Sequence, residues 1–313
     1  MKPKKLVNIY FGFDEVKNIK NAVVTTGSFD GVHLGHKLIL KRLSDTAHKI
    51  NGETVLITFY PHPRQVLYPD TLGKDLLMIN SRQEKIDLLR EAGLDNIIFV
   101  KFTKEFASTS ATDFIKTYLV DKLRVKKIVT GVNHHFGKNR EGDIDELRIL
   151  GQKHYFELEL IPSQDIQNID ISSTLIREAI LQGQIQKAQT YLGHSFFIKA
   201  QIQAKGQTQF LQMGYKTKKL VIEEKYKLLP PCGSYLIFVD HLQKTHKGLC
   251  LISSCKETLG NIIDLYIPDL PEQETDLEPV QIRFIRPSKI EKDPTLLKSA
   301  MIKDLIHFNK IKF

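Results

Sequence analysis

From Gly27 to His36 the chain reads Gly-Ser-Phe-Asp-Gly-Val-His-Leu-Gly-His, with three glycines and two histidines in ten residues. Gly27 and Gly31 permit a tight bend that exposes backbone N–H groups, and Gly35 permits close packing on the following helix. A helix starting near His33 would aim its unbonded N–H groups and positive dipole end at the same point. That arrangement suits phosphate, at about 0.3–1 kcal/mol per charge. His33 and His36, three apart, share one helical face and can both donate to phosphate oxygens as charge develops on them. The pair could also be a zinc site, although no Cys or Glu partner is near, or simply surface or helix-capping residues.

The elements that would position this bend are legible on either side of it. Five apolar runs, Asn21–Thr26, Thr54–Phe59, Asn96–Phe102, Lys126–Gly131 and Phe156–Ile161, are nearly continuous in Val, Ile and Leu. Such runs suit strands buried on both faces of a parallel sheet. Helical patterns alternate with them. Leu34, Leu38, Ile39 and Leu43 form a stripe, Ser81 with Glu84 and Ser110 with Asp113 read as capping pairs, and Gly93 reads as a stop. The alternation predicts an α/β doubly wound parallel-sheet domain, Rossmann-like, with ligands at the carboxyl ends of its strands.

Beyond residue 190 short β-like runs separated by Gly, Pro and Lys predict a small antiparallel β-barrel, closed by a C-terminal helix over the segment Asp293–Phe308. The predicted division is 1–190 and 191–313. At 313 residues, 42% hydrophobic and 26% charged, the chain is of a size for two ordinary globular domains. No apolar run reaches the roughly 20 residues of a membrane span, and the basic N-terminus is broken by Asn8, Gly12 and Asp14, so a cytoplasmic protein is expected. Cys232, Cys250 and Cys255 have no metal or disulfide spacing and read as buried or incidental thiols. The net charge of +9, from 45 basic and 36 acidic residues, suits anionic ligands. The lysines are scattered, and no aromatic-rich basic motif suggests nucleic acid.

The spacing His-x-Gly-His after a strand and a glycine turn resembles the signature of the nucleotidylyltransferase superfamily. Four segments in order, Gly27–His36, Thr58–Leu67, Gly131–Asp143 and Ile171–Gly183, are similar to the N-terminal module of the bifunctional riboflavin kinase/FMN adenylyltransferases, the prokaryotic FAD synthetases. The likeness runs from about residue 15 to 190. It implies conversion of FMN and ATP to FAD and pyrophosphate, with Mg2+ carried on substrate phosphates rather than on direct protein ligands of the first domain. Gly27, Ser28, Phe29, Asp30 and Gly35 would line the nucleotide site, and His33 and His36 would contact the ATP phosphates. Asn133 would help hold nucleotide or phosphate. Ser172, Ser173, Thr174 and Arg177 would form the second phosphate motif. Read bottom-up, that last segment is also a helix N-terminus with spare hydroxyls and a guanidinium fork one turn on, or plain helix capping. Phe59, His62 and Pro63 would border the flavin, His62 being equally readable as an ordered turn residue. His134 and His135 read as loop structure. Asp165, Asp170 and Glu178 could meet magnesium, but their spacing does not demand it.

The resemblance implies a riboflavin kinase barrel in the second half, and there the chain departs from the family. Where the family motif is Gly-Phe-Pro-Thr-Ala-Asn, residues 214–219 are Gly-Tyr-Lys-Thr-Lys-Lys. Thr217 survives, while Lys216 and Lys219 replace the proline and asparagine. The family's glutamate is missing at Leu259–Ile262, and Glu257 comes too early. Lack of a general base costs roughly 10²–10⁴ in rate, so a degenerate kinase site is expected. The alternatives are a fully bifunctional enzyme with Glu257 or another carboxylate recruited by a shifted strand, a non-catalytic flavin- or nucleotide-binding paralogue, or another small-molecule nucleotidylyltransferase. Oligomeric state is not legible.

Overall fold

A computed structural model describes residues 6–132, 134–162, 171–203, 218–255, 260–269 and 278–289. Two compact units emerge: Met1–Leu76 with Lys85–Ile171, and Leu77–Glu84 with Ser172–Phe313.

In the first unit, strands β1 (Asn8–Tyr10), β2 (Val23–Thr26), β3 (Thr54–Tyr60), β4 (Asn96–Lys101), β5 (Lys127–Gly131) and β6 (Glu157–Ile161) form one sheet in the order β1-β4-β3-β2-β5-β6. Every pairing is parallel. The five expected runs are β2 to β6. The first strand, three residues long, carries too little pattern to be seen in the sequence. From β2 the chain winds outward through β3 to β4, then returns to β5 on the other side of β2, so the switch point lies between β2 and β5. Val24, Val55, Ile57, Ile98 and Ile128 are buried against Ala111, Phe114, Ile115, Leu119, Leu147 and Leu150. Truncating one such residue, Ile57→Ala for instance, would cost about 2–5 kcal/mol.

The helices around this sheet are α1 (Leu34–Lys49), α2 (Pro63–Leu67), α3 (Arg82–Glu91), α4 (Lys104–Ala107), α5 (Ala111–Asp113) and α6 (Ile144–His154). Both predicted caps form. Ser81 and Glu84 exchange hydrogen bonds at 2.9 and 3.2 Å, and Ser110 Oγ accepts from the Asp113 N–H at 3.0 Å. After α5 the chain widens into π-helical winding over Phe114–Lys122.

In the second unit α7 (Ser173–Leu181) and α8 (Ile185–Leu192) precede a closed six-stranded antiparallel barrel, ordered β10-β11-β8-β7-β12-β9. Its strands are β7 (Phe197–Gln203), β8 (Lys218–Val221), β9 (Gly233–His241), β10 (Lys244–Cys255), β11 (Gly260–Tyr266) and β12 (Glu278–Lys289). The eighth strand, short and lysine-rich, escapes sequence reading. Pro287 is accommodated because β12 shifts register between Phe284 and Arg286 and again between Pro287 and Lys289. Segment 77–84 is built into this unit: Met78 N–H donates to Tyr226 O and the Leu228 N–H to Met78 O. Lys227 and Glu84 are fully buried at 2.6 Å, and the ammonium also donates to the Ile79 and Phe197 carbonyls. All three of its protons are thereby used. The expected C-terminal helix lies outside the described residues.

Candidate nucleotide site

Thr26 ends β2, and the Gly27 N–H donates to Ile57 O at 3.0 Å, so the bend leaves the sheet at the switch point. Gly31 (φ 86°) takes the left-handed backbone expected of it, and Phe29 (φ 46°) and Val32 (φ 40°) do so without being glycine. Gly27 and Gly35 each lie close against a ring, a feature the sequence did not disclose. A Cβ on Gly27 would meet the Phe29 ring at 3.0 Å, and one on Gly35 the His33 ring at 3.2 Å. These glycines make room for rings.

His33 is the N-cap of α1, its Nδ1 accepting from the His36 N–H at 3.4 Å. The capping and phosphate readings are therefore compatible: with Nδ1 an acceptor, the neutral ring carries its proton on Nε2 as a donor. The His33 and His36 rings stack at 3.6 Å, and Phe29 stacks on the other ring of the pair, His36, at 4.5 Å. Burial first, then the neighbouring His33 and Lys85, push His36 well below the usual histidine range. Asp30 is fully buried. Two residues with no assigned role in the sequence reading join the bend, since Thr58 Oγ1 and Lys85 Nζ both donate to Ser28 O.

The loop after β5 meets β2 through His134, whose Nε2 lies 3.1 Å from Thr26 Oγ1. Burial, with the charges of His135 and Arg140, lowers His134 to about 4. It is thus tied to the end of the strand that leads into the bend, which loop chemistry alone did not suggest. Asn133, beside it, lies outside the described residues. On β3, Phe59 packs against Phe102 and Phe106. His62 caps α2, accepting from the Arg64 N–H at 3.2 Å, with Pro63 as the first helical residue; it is an ordered turn histidine, whatever else it borders.

Within the second unit Ser172 caps α7, its Oγ accepting from the Leu175 N–H at 3.3 Å. Ser173 follows, half-buried, and Thr174 and Glu178 are exposed. Arg177 Nε donates to Leu77 O at 2.9 Å, which holds the guanidinium on the backbone of segment 77–84. Asp165 and Asp170 lie outside the described residues. Among the described residues no group of three His, Cys, Asp or Glu side chains could hold a metal ion, and no helix is long and apolar enough to cross a membrane.

Residues 15–175, which contain the bend, the His134 loop and the start of α7, match the family model for FAD synthetase. The chain belongs to the FAD synthetase family. Its relatives include bifunctional riboflavin kinase/FMN adenylyltransferases of Listeria monocytogenes, 30% identical with 85% of each chain covered, and of Buchnera aphidicola from Schizaphis graminum, 35% identical over 77% of this chain and 76% of the relative. The Escherichia coli K12 relative of the same name is 33% identical over 58% of each. A crystal structure named as a macrolide-efflux protein from Streptococcus pneumoniae superposes with a TM-score of 0.83 at 23% identity, covering 98% of this chain and 99% of that one, and shows the shared fold.

Thr217, Glu257 and Leu259 lie outside the described residues. Lys219 lies on β8 directly opposite Asp264 of β11, so the two side chains leave the sheet on the same face. Asp264 is fully buried. The strand has no glutamate at its start, and an aspartate stands at its centre. The available signal was an aspartate within the apolar run Ile-Ile-Asp-Leu-Tyr, a residue seldom buried without a use.

Proposed function

We propose that the chain is an FMN adenylyltransferase, transferring AMP from ATP to FMN to give FAD and pyrophosphate, with residues 1–190 making the adenylyltransferase domain. The observation that carries this reading is the stacked His33–His36 pair at the N-terminus of α1, beside the β2–β5 switch point, in a member of this family. The FMN phosphate, with a second pKa of about 6, is already nucleophilic at neutral pH, so no base or covalent intermediate is needed. An oxygen of that phosphate forms the new bond to the ATP α-phosphorus as the bond to the β-phosphate bridge breaks, and pyrophosphate leaves with the electron pair. His33, through Nε2–H, and His36 stabilise charge on the departing oxygens, while the bend's N–H groups and the α1 dipole cradle the phosphates. By the family resemblance, Asn133, Ser172, Ser173, Thr174 and Arg177 would have phosphate-binding roles, and Phe59, His62 and Pro63 would border the flavin. Magnesium on the substrate phosphates would neutralise part of their charge.

Riboflavin phosphorylation by residues 191–313 is expected to be weak, since Lys216 and Lys219 stand where the family has proline and asparagine and Leu259–Ile262 supply no glutamate as a general base. A second reading, full bifunctionality, is favoured by the burial of Asp264 itself, the kind of carboxylate a hydroxyl nucleophile requires. Purified protein with ATP and magnesium, given FMN in one reaction and riboflavin in another, separates the two by chromatography of the products. FAD from FMN alone supports the first reading. FMN or FAD from riboflavin at more than about 1 s⁻¹, abolished by Asp264→Asn, establishes the second. No product in either reaction removes both.

A further inference from the structure

The Ser28 carbonyl is turned into the protein, where it accepts from the Lys85 ammonium at 2.8 Å and from the Thr58 hydroxyl at 3.1 Å. Thr58 is fully buried and Lys85 is 5% exposed. An ammonium is seldom withdrawn from water unless its position is needed. Across a trans peptide the carbonyl and the following N–H point in opposite directions. With Ser28 O held inward, the Phe29 N–H is aimed the other way. Phe29 also holds a left-handed backbone at φ 46°, costly for a residue with a side chain, and its ring stacks on His36. One buried cation thus fixes a strained peptide, and the strained residue seats the imidazole.

We propose that Lys85 is a positioning residue for adenylyl transfer: its ammonium pins the Ser28–Phe29 peptide, so that the phosphate-facing bend and the His36 ring are set before ATP arrives. This rests on the adenylyltransferase reading above. Lys85 has a second consequence through charge. Facing His36 together with His33, it helps keep that ring neutral. Lys85 sits on α3, 57 residues from Ser28, and nothing local distinguishes it from a solvated helix lysine.

The test measures FAD formation from FMN, ATP and magnesium by wild type, Lys85→Met, Lys85→Arg and Thr58→Val, varying each substrate and the pH. Lys85→Met should lower kcat/KM for ATP about 10–100-fold, as expected for a lost charged hydrogen bond, with KM for FMN nearly unchanged. Its acid limb should move to higher pH, because His36 then protonates more readily. Lys85→Arg should restore part of the loss and the wild-type pH profile. Thr58→Val should lower kcat/KM for ATP about 3–10-fold without moving the profile. An active wild type whose Lys85→Met variant stays within about twofold, or loses ATP and FMN affinity equally with its acid limb unmoved, overturns the proposal alone. A wild type silent with FMN and ATP overturns the adenylyltransferase reading and this proposal with it. If Lys85→Met does not fold, Thr58→Val decides, and the absence of its ATP-specific loss counts against the proposal.

Discussion

The His33 and His36 rings stack with centroids 3.6 Å apart and planes 23° from parallel. Two protons on such a pair would repel by about 4–5 kcal/mol at an effective dielectric near 20, so the rings work as neutral donors or share one charge. Replacing either by alanine should lower FAD formation about 10²–10³-fold. The double variant should lose less than the product of the two, since each ring orients the other. Steady-state assays of the three variants check this.

His134 ties the loop after β5 to Thr26 and titrates at about 4, against the ordinary histidine value of 6.5. Its folded-state value is depressed, so its contribution to stability is fully present above about pH 6.5 and is lost as pH falls toward 4. The loss should be on the order of 2 kcal/mol, allowing for solvent screening at a partly buried ring. His36, also depressed, acts in the same direction. Urea unfolding at pH 7 and pH 5 should therefore show a smaller difference for His134→Gln than for wild type.

Glu84 and Lys227 form a fully buried pair whose polar atoms are further used by Ser81, Lys199, Ile79 and Phe197. Removing one partner strands a charge in the interior. Lys227→Met should cost about 3–5 kcal/mol and Glu84→Met a similar amount, whereas the double variant should cost clearly less than the sum. Chemical denaturation followed by far-ultraviolet circular dichroism tests this.

Much of the fold is legible locally because its causes are local. The Val/Ile runs of β2 to β6 announce strands buried on two faces, and Ser81–Glu84 and Ser110–Asp113 announce helix starts, since a cap is a contact over three residues. The three-residue β1 and the lysine-rich β8 are invisible for the same reason: their pairing partners, not their own residues, make them strands. The burial of Asp264 is not legible in the sequence, because it is a property of the barrel rather than of the run that contains it.

The amino-acid order by itself determined that glycines and histidines would gather at the bend between β2 and the start of α1, because the spacing His-x-Gly-His brings both rings together at one helix end. Only the tertiary structure decided what holds that arrangement. Lys85 reaches Ser28 over 57 residues, His134 reaches Thr26 over 108, and Lys227 reaches Glu84 over 143. A hydrogen bond depends on distance and angle in space, and for residues so far apart these are set by the winding of the sheet and the closure of the barrel, which no short window of sequence contains.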